Sequence, residues 1–157
     1  MEKIVLSLEP NAWHGHATET VWAEQVGLHR YRIRSVPFYA KDLGYGDVVT
    51  TVPKDQGEVV ERVTIRSGHS TYRLFLQKSV AFDSPTFQRH WEPILALGCT
   101  MERATERLIA VDVPPNAPIH AVYRLLEQGE HDGAWEFEEG YCAPGQRESS
   151  QHRDATN

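Results

Sequence analysis

The sequence predicts an α+β protein: a small curved β-sheet or partial barrel followed by a ferredoxin-like βαββαβ module. Three observations carry that expectation. From Thr20 to Arg66 apolar and polar residues alternate in four strand-like segments with no helical periodicity. After Gly68 the pattern changes to strand, helix, strand, strand, helix, strand, the ferredoxin-like order. The composition, 40% hydrophobic and 24% charged over 157 residues, is that of a folded globular chain with room for one ordinary domain or two small modules. The expected divisions are a β-rich module over 1–70, an α+β module over 71–143 and a disordered tail over 144–157.

Met1 to Leu8 reads as a strand, and Pro10, Asn11 and Gly15 then break the pattern. TVWAEQV, a turn at Gly27 and HRYRIRSV read as an antiparallel hairpin. Because side chains alternate along a strand, Tyr31, Ile33 and Ser35 share one face and Arg30, Arg32 and Arg34 the other, solvated one. Pro37 stops sheet pairing, and Gly44 and Gly46 permit a tight approach into DVVTTVP. EVVERVTIR alternates again after the Lys54–Gly57 turn.

TYRLFLQ opens the second half as a strand. Ser84 and Pro85 signal a helix start, with Phe87, Trp91, Ile94 and Leu95 on one stripe and Pro93 expected to kink or divide the helix. Two short runs, Cys99–Ala104 and Leu108–Val113, suit a hairpin. Asn116 is the expected cap of a second helix, with Ile119, Val122, Tyr123 and Leu126 inward and Gly129 at its end. AWEFEEGY is the last strand, and PGQRESSQHRDATN beyond it has no apolar periodicity.

Charge and cysteine content narrow the function classes. A formal net charge of −6 argues against a general nucleic-acid binder, which needs clustered cations, and suits either a solvated surface or a basic partner. Two cysteines, Cys99 and Cys142, are too few for a disulfide framework and too far apart for a zinc ribbon or redox pair. No apolar run reaches the ~20 residues of a membrane helix. MEKIVLSLEP lacks the apolar core of a secretory signal, so a cytoplasmic location is the expectation.

RSGHSTYR is the richest site candidate. His69 could act as a general base with Ser70 or Tyr72 as partner, while Arg66 and Arg73 bind an anion. The competing reading is structural: Gly68 permits a bend and the hydroxyls satisfy backbone groups. No Gly-x-Ser-x-Gly elbow surrounds Ser70, no acid can be assigned to orient His69, and Tyr72 shares the face of Leu74 and Leu76. His14 and His16 project from one face of an extended backbone and are weak metal candidates. A third ligand would have to come from His69, His90, Glu19 or another residue brought near by folding. Glu136 and Glu138 in EFEEG stand on the outward face of the last strand, as edge protection or as an acidic recognition surface. GYGDVV lacks the spacing of a nucleotide loop, and no cofactor is called for.

PFYAKDLGYGDVV, RSGHSTYR and LLEQGEHDGAWEFEE together resemble a bacterial family known only as a domain of unknown function, over roughly Glu19 to Glu139. The resemblance implies a small two-part α/β body and no assigned reaction. Family members usually carry Asn before the Pro-Phe pair, where this sequence has Val36, so any role of that amide is absent here.

The functional expectation is a noncatalytic cytosolic binding protein, immunity-like or regulatory, that recognises a protein partner through its acidic surface, with a small anionic ligand at Arg66, His69 and Arg73 as the other expected partner. The alternative is a small bacterial enzyme of specialised metabolism with a polar pocket around His69 between the modules. Convergence of His14, His16 or Glu19 on His69 would favour the enzyme, and scattered histidines the binder.

Overall fold

The computed structural model describes residues 1–144. The expected tail therefore lies, apart from Pro144, outside the described residues. The chain is mixed α+β, with two helices and nine strands in two sheets among the described residues.

The first sheet contains β1 (Glu2–Ser7), β2 (Thr18–Gly27), β3 (Arg30–Ile33), β4 (Val48–Lys54) and β5 (Gly57–Ile65), in that order. Neighbouring strands pair antiparallel, and the sheet curls until β1 and β5 meet with Val5 beside Val59 in parallel. Register shifts between β4 and β5 at Val48/Val49 and Thr50/Thr51 supply part of that curvature, because an unpaired residue bends and twists its strand. The alternation read from the sequence sets the inner face. Ile4, Leu6, Val21, Ala23, Tyr31, Ile33 and Val49 form its core, while Arg30, Arg32 and Arg34 stay outside it.

The second sheet has the order β7-β8-β6-β9, from β6 (Ser70–Leu76), β7 (Thr100–Arg103), β8 (Leu108–Val113) and β9 (Trp135–Tyr141), all paired antiparallel. Helices α1 (Pro85–Ala96) and α2 (Ile119–His131) cover one face, burying Leu74, Leu76, Ile109, Val111 and Trp135 with Phe87, Trp91, Ile94, Val122 and Leu126. Ser84 caps α1, accepting the Phe87 N–H at 3.2 Å, and Pro85 occupies its first turn as the sequence predicts. The helix runs unbroken from Pro85 to Ala96 with Pro93 inside it, so it is not divided into two pieces.

Three local expectations need correction. Leu95 is exposed rather than on the buried stripe of α1. Pro118, not Asn116, occupies the N-cap of α2, and no side-chain cap bond is made there. Gly129 is buried inside α2 instead of ending it, because the Trp135 indole lies where a β-carbon at this position would stand. The Trp135 Nε1–H donates to Leu126 O at 3.0 Å, which fixes the ring against the helix backbone.

The opposite face of the second sheet carries Thr71, Arg73 and Asp112 together with Phe75, Leu108 and Ala110. It presents Thr71 and Arg73 to the connection between β3 and β4, the PFYAKDLGYGD segment, with Asp112 across from Thr71 on β8.

Candidate functional site

The PFYA turn is held from both sides by buried charges. Glu19, on the inner face of β2, accepts the backbone N–H groups of Phe38 (2.6 Å), Tyr39 (3.0 Å) and Ala40 (2.9 Å). Arg73, fully buried on β6, donates to the carbonyls of Phe38 and Ala40 and faces Glu138 at 3.6 Å. Burial lowers the Arg73 pKa from its ordinary value, and the charges of Glu138 and Glu19 oppose that shift. Gly140 leaves room for the guanidinium, since a β-carbon there would collide with it. Glu102 adds a carboxylate to the Val36 N–H at 3.1 Å, and burial raises its pKa.

A second buried carboxylate organises the other end of the connection. Asp47 accepts the N–H groups of Gly44 (2.9 Å) and Ser67 (2.8 Å) and the Arg66 guanidinium (3.0 Å). Arg66 also donates to Asp42 O at 2.7 Å and stacks over the Tyr141 ring at 4.2 Å. Gly44 abuts the His69 backbone, where a β-carbon would come within 2.7 Å of the carbonyl oxygen. The glycines in GYGD therefore serve close packing against RSGHSTYR.

The bend needed within RSGHSTYR is present at Gly68, with φ +88°, a value that favours glycine. It does not gather Arg66, His69 and Arg73 around one anion. Arg66 is engaged with Asp47 and Asp42, and Arg73 with the PFYA carbonyls. His69 pairs with Asp112, its Nδ1 donating to Oδ1 at 2.8 Å and Oδ2 at 3.0 Å. Ser70 is fully buried, and its hydroxyl oxygen accepts the Ala143 N–H at 2.9 Å. Tyr72 lies in the helical core, where burial, followed by Cys142 and Glu139, pushes its phenol well above the ordinary value.

Asp112 is the residue that the sequence reading missed. It is the lone acid in LIAVDV, a strand buried at every position, and a carboxylate in such a run requires a partner. Burial raises its pKa, and the His69 hydrogen bond and charge pull it back. The pair has the form of an oriented base, held through Nδ1 of His69.

His14 and His16 belong to a different group. The loop between β1 and β2 lays Trp13 edge-on against Phe75, with ring centroids 4.9 Å apart, and stacks His16 on Tyr39 at 4.5 Å and on His14 at 5.8 Å. Together with Thr105, Arg107 and Leu108 these rings line an open cleft of about 380 Å³. Among the described residues no group of three or more His, Cys, Asp or Glu side chains is arranged to hold a metal ion. Glu19 is committed to backbone N–H groups, and neither it nor the two loop histidines joins the His69–Asp112 pair.

Glu136 and Glu138 stand on β9, an outer strand of the second sheet. Glu136 is exposed, whereas Glu138 is half-buried beside Arg73. Tyr123, expected inward, is 40% exposed on α2. It packs edge-on against Phe137 at 5.5 Å and Tyr72 at 6.3 Å. Burial, then the charges of Glu127, Glu139 and Glu130, raises its phenol pKa. An aromatic ring thus sits among carboxylates at an open sheet edge. No helix of the described residues is long and apolar enough to cross a membrane.

No curated protein matches the chain. A solved structure, a hypothetical protein from Neisseria gonorrhoeae, superposes with a TM-score of 0.77 over 90% of this chain and 94% of that one at 15% identity, a likeness of fold alone. A family described as "Domain of unknown function (DUF4265)" matches residues 19–137. That span begins at Glu19, takes in the PFYA turn with Arg73 and the His69–Asp112 pair, and ends at Phe137: the chain belongs to the DUF4265 family.

Proposed function

We propose that the protein is a noncatalytic binding module that recognises a basic protein partner through the acidic, aromatic face of α2 and β9. The observation that carries this reading is Tyr123, half out of the core, backed by Phe137 and close to Glu127, Glu130 and Glu139. Tyrosines backed by other side chains are favoured interface anchors, and a rim of one charge selects and steers a partner of the other. The net charge of −6 works in the same direction. The separation of His14 and His16 from His69 supports a binder over an enzyme.

The second module is read as ferredoxin-like. The run β6-α1-β7-β8-α2-β9 and the antiparallel order β9-β6-β8-β7 support that reading. A cytosolic setting is part of the proposal, supported by two free, buried cysteines.

An enzyme using His69 is the second reading, favoured by the 2.8 Å contact with Asp112. Its weakness is the nucleophile, because Ser70 is fully buried and Tyr72 is held in the core. Affinity capture with the tagged full-length chain, followed by reciprocal binding with each purified candidate, distinguishes the two. A basic partner should bind wild type and His69→Ala alike, and bind the triple variant Tyr123→Ala/Glu127→Lys/Glu130→Lys at least about tenfold more weakly. Undiminished binding by a folded triple variant would overturn the proposal.

A further inference from the structure

The cleft beneath the Trp13 loop is separate from the acidic face. Its lining is unusual for a surface hollow: three aromatic rings, two imidazoles and one guanidinium, contributed by the β1–β2 loop, the PFYA turn, β6 and the β7–β8 turn. Trp13 is 55% exposed. A large aromatic side chain left in water beside a concavity marks a surface that can gain from being covered.

The charges in the cleft define its selectivity. His14 Nδ1 accepts the backbone N–H of His16 at 2.9 Å, which leaves Nε2 as the ring nitrogen that faces other groups as a donor. Arg107 donates Nε–H to Leu76 O at 2.9 Å, which anchors the guanidinium between this cleft and the adjoining hollow of Lys78, Asp83, Arg103 and Glu106. Among the described residues no carboxylate lines the cleft, and Arg107 is the only permanently charged group in its lining. Stacked rings along one wall favour a flat apolar body, and a planar guanidinium at the rim favours a planar anion held by two parallel hydrogen bonds. A volume of about 380 Å³ is within the range of small-molecule sites.

We infer that this cleft binds a planar aromatic carboxylate, its ring seated among Trp13, His16, Tyr39 and Phe75 and its carboxylate on Arg107. A single guanidinium fork matches a carboxylate, whereas a phosphate is commonly met by a helix N-terminus or a nest of backbone N–H groups, and among the described residues no helix contributes to this lining. The inference is independent of the protein-binding face, because no residue is shared between them.

The test uses the full-length protein, labelled with ¹⁵N, and indole-3-acetate as the probe, with its uncharged analogue indole-3-acetamide as control. Trp13→Phe identifies the Trp13 indole N–H signal by its disappearance. Indole-3-acetate should shift that signal saturably, and the amide should bind about tenfold more weakly. Arg107→Met should reduce acetate binding to the level of the amide while leaving the remaining spectrum in place, and Tyr123→Ala should leave it unchanged. Equal binding of acid and amide, acetate binding unaffected by Arg107→Met, or no shift of the Trp13 signal at millimolar probe would each overturn the assignment.

Discussion

Replacing Glu19 with alanine should be among the most damaging single changes in the β-rich half. Glu19 is 8% exposed, and its carboxylate accepts three backbone N–H groups at 2.6, 3.0 and 2.9 Å. A hydrogen bond to a charged group contributes about 1.5–3 kcal/mol, so three taken separately would exceed 4 kcal/mol. The sum overstates the loss, because removing the carboxylate also removes its desolvation cost and opens space for water. Against that, Arg73 loses one of the two carboxylates that oppose the lowering of its pKa. The balance gives a loss of about 3–5 kcal/mol, a large fraction of the 5–15 kcal/mol typical of a domain. Urea unfolding followed by tryptophan fluorescence measures it as a shift in midpoint. Glu19→Gln keeps one acceptor oxygen and should cost about half as much. A Glu19→Ala loss below about 1 kcal/mol would refute the view that this carboxylate holds the PFYA turn.

Two further outcomes follow from shifted ionisations. Burial, with the charge of Asp112 next, pushes the Cys99 thiol up to about 12, so iodoacetamide at pH 8.5 should leave Cys99 unmodified in the native protein and label it in urea. Labelling at the same rate in both states would contradict its burial. The His90 hydrogen bond, then that of Gln128, lowers the Asp132 pKa, and the His90 contact at 2.9 Å links α1 to the end of α2. A depressed carboxylate stabilises the fold above its ordinary value and loses that contribution as pH falls through the lowered one. Asp132→Asn should therefore flatten the acid limb of the stability profile below about pH 4, and an unchanged limb would count against the link.

The parts of the fold that were legible in the sequence rest on short-range periodicity. Alternation through TVWAEQV and HRYRIRSV set which residues face the core of the first sheet, because a strand leaves only two choices of face. Ser84 and Pro85 marked the start of α1 because a cap is a local interaction. Tyr123 was misread because helical spacing places it beside Val122 and Leu126, yet the neighbouring carboxylates and the open sheet edge leave it at the boundary. Gly129 was read as a terminator, although its small size is required by a tryptophan six residues on.

The candidate site was less legible because its partners are remote in sequence. Glu19 meets the PFYA turn about twenty residues later, and Asp112 meets His69 across forty-three. Local composition flagged RSGHSTYR as polar but could not tell that Arg66 and Arg73 are engaged by a packed loop. The lone acid within LIAVDV was the available signal for Asp112. For the cleft, no sequence rule brings Trp13 to Phe75, a contact that depends on how the β1–β2 loop crosses the second sheet.

The most direct measurement of the proposed function is amide hydrogen exchange on the full-length protein, alone and saturated with a partner obtained by affinity capture. Protection should concentrate on α2 and β9, from Tyr123 through Glu139, and should disappear with Tyr123→Ala/Glu127→Lys/Glu130→Lys. Protection confined to the segment around His69 and Asp112, with α2 and β9 exchanging as in the free protein, would contradict binding through the acidic face.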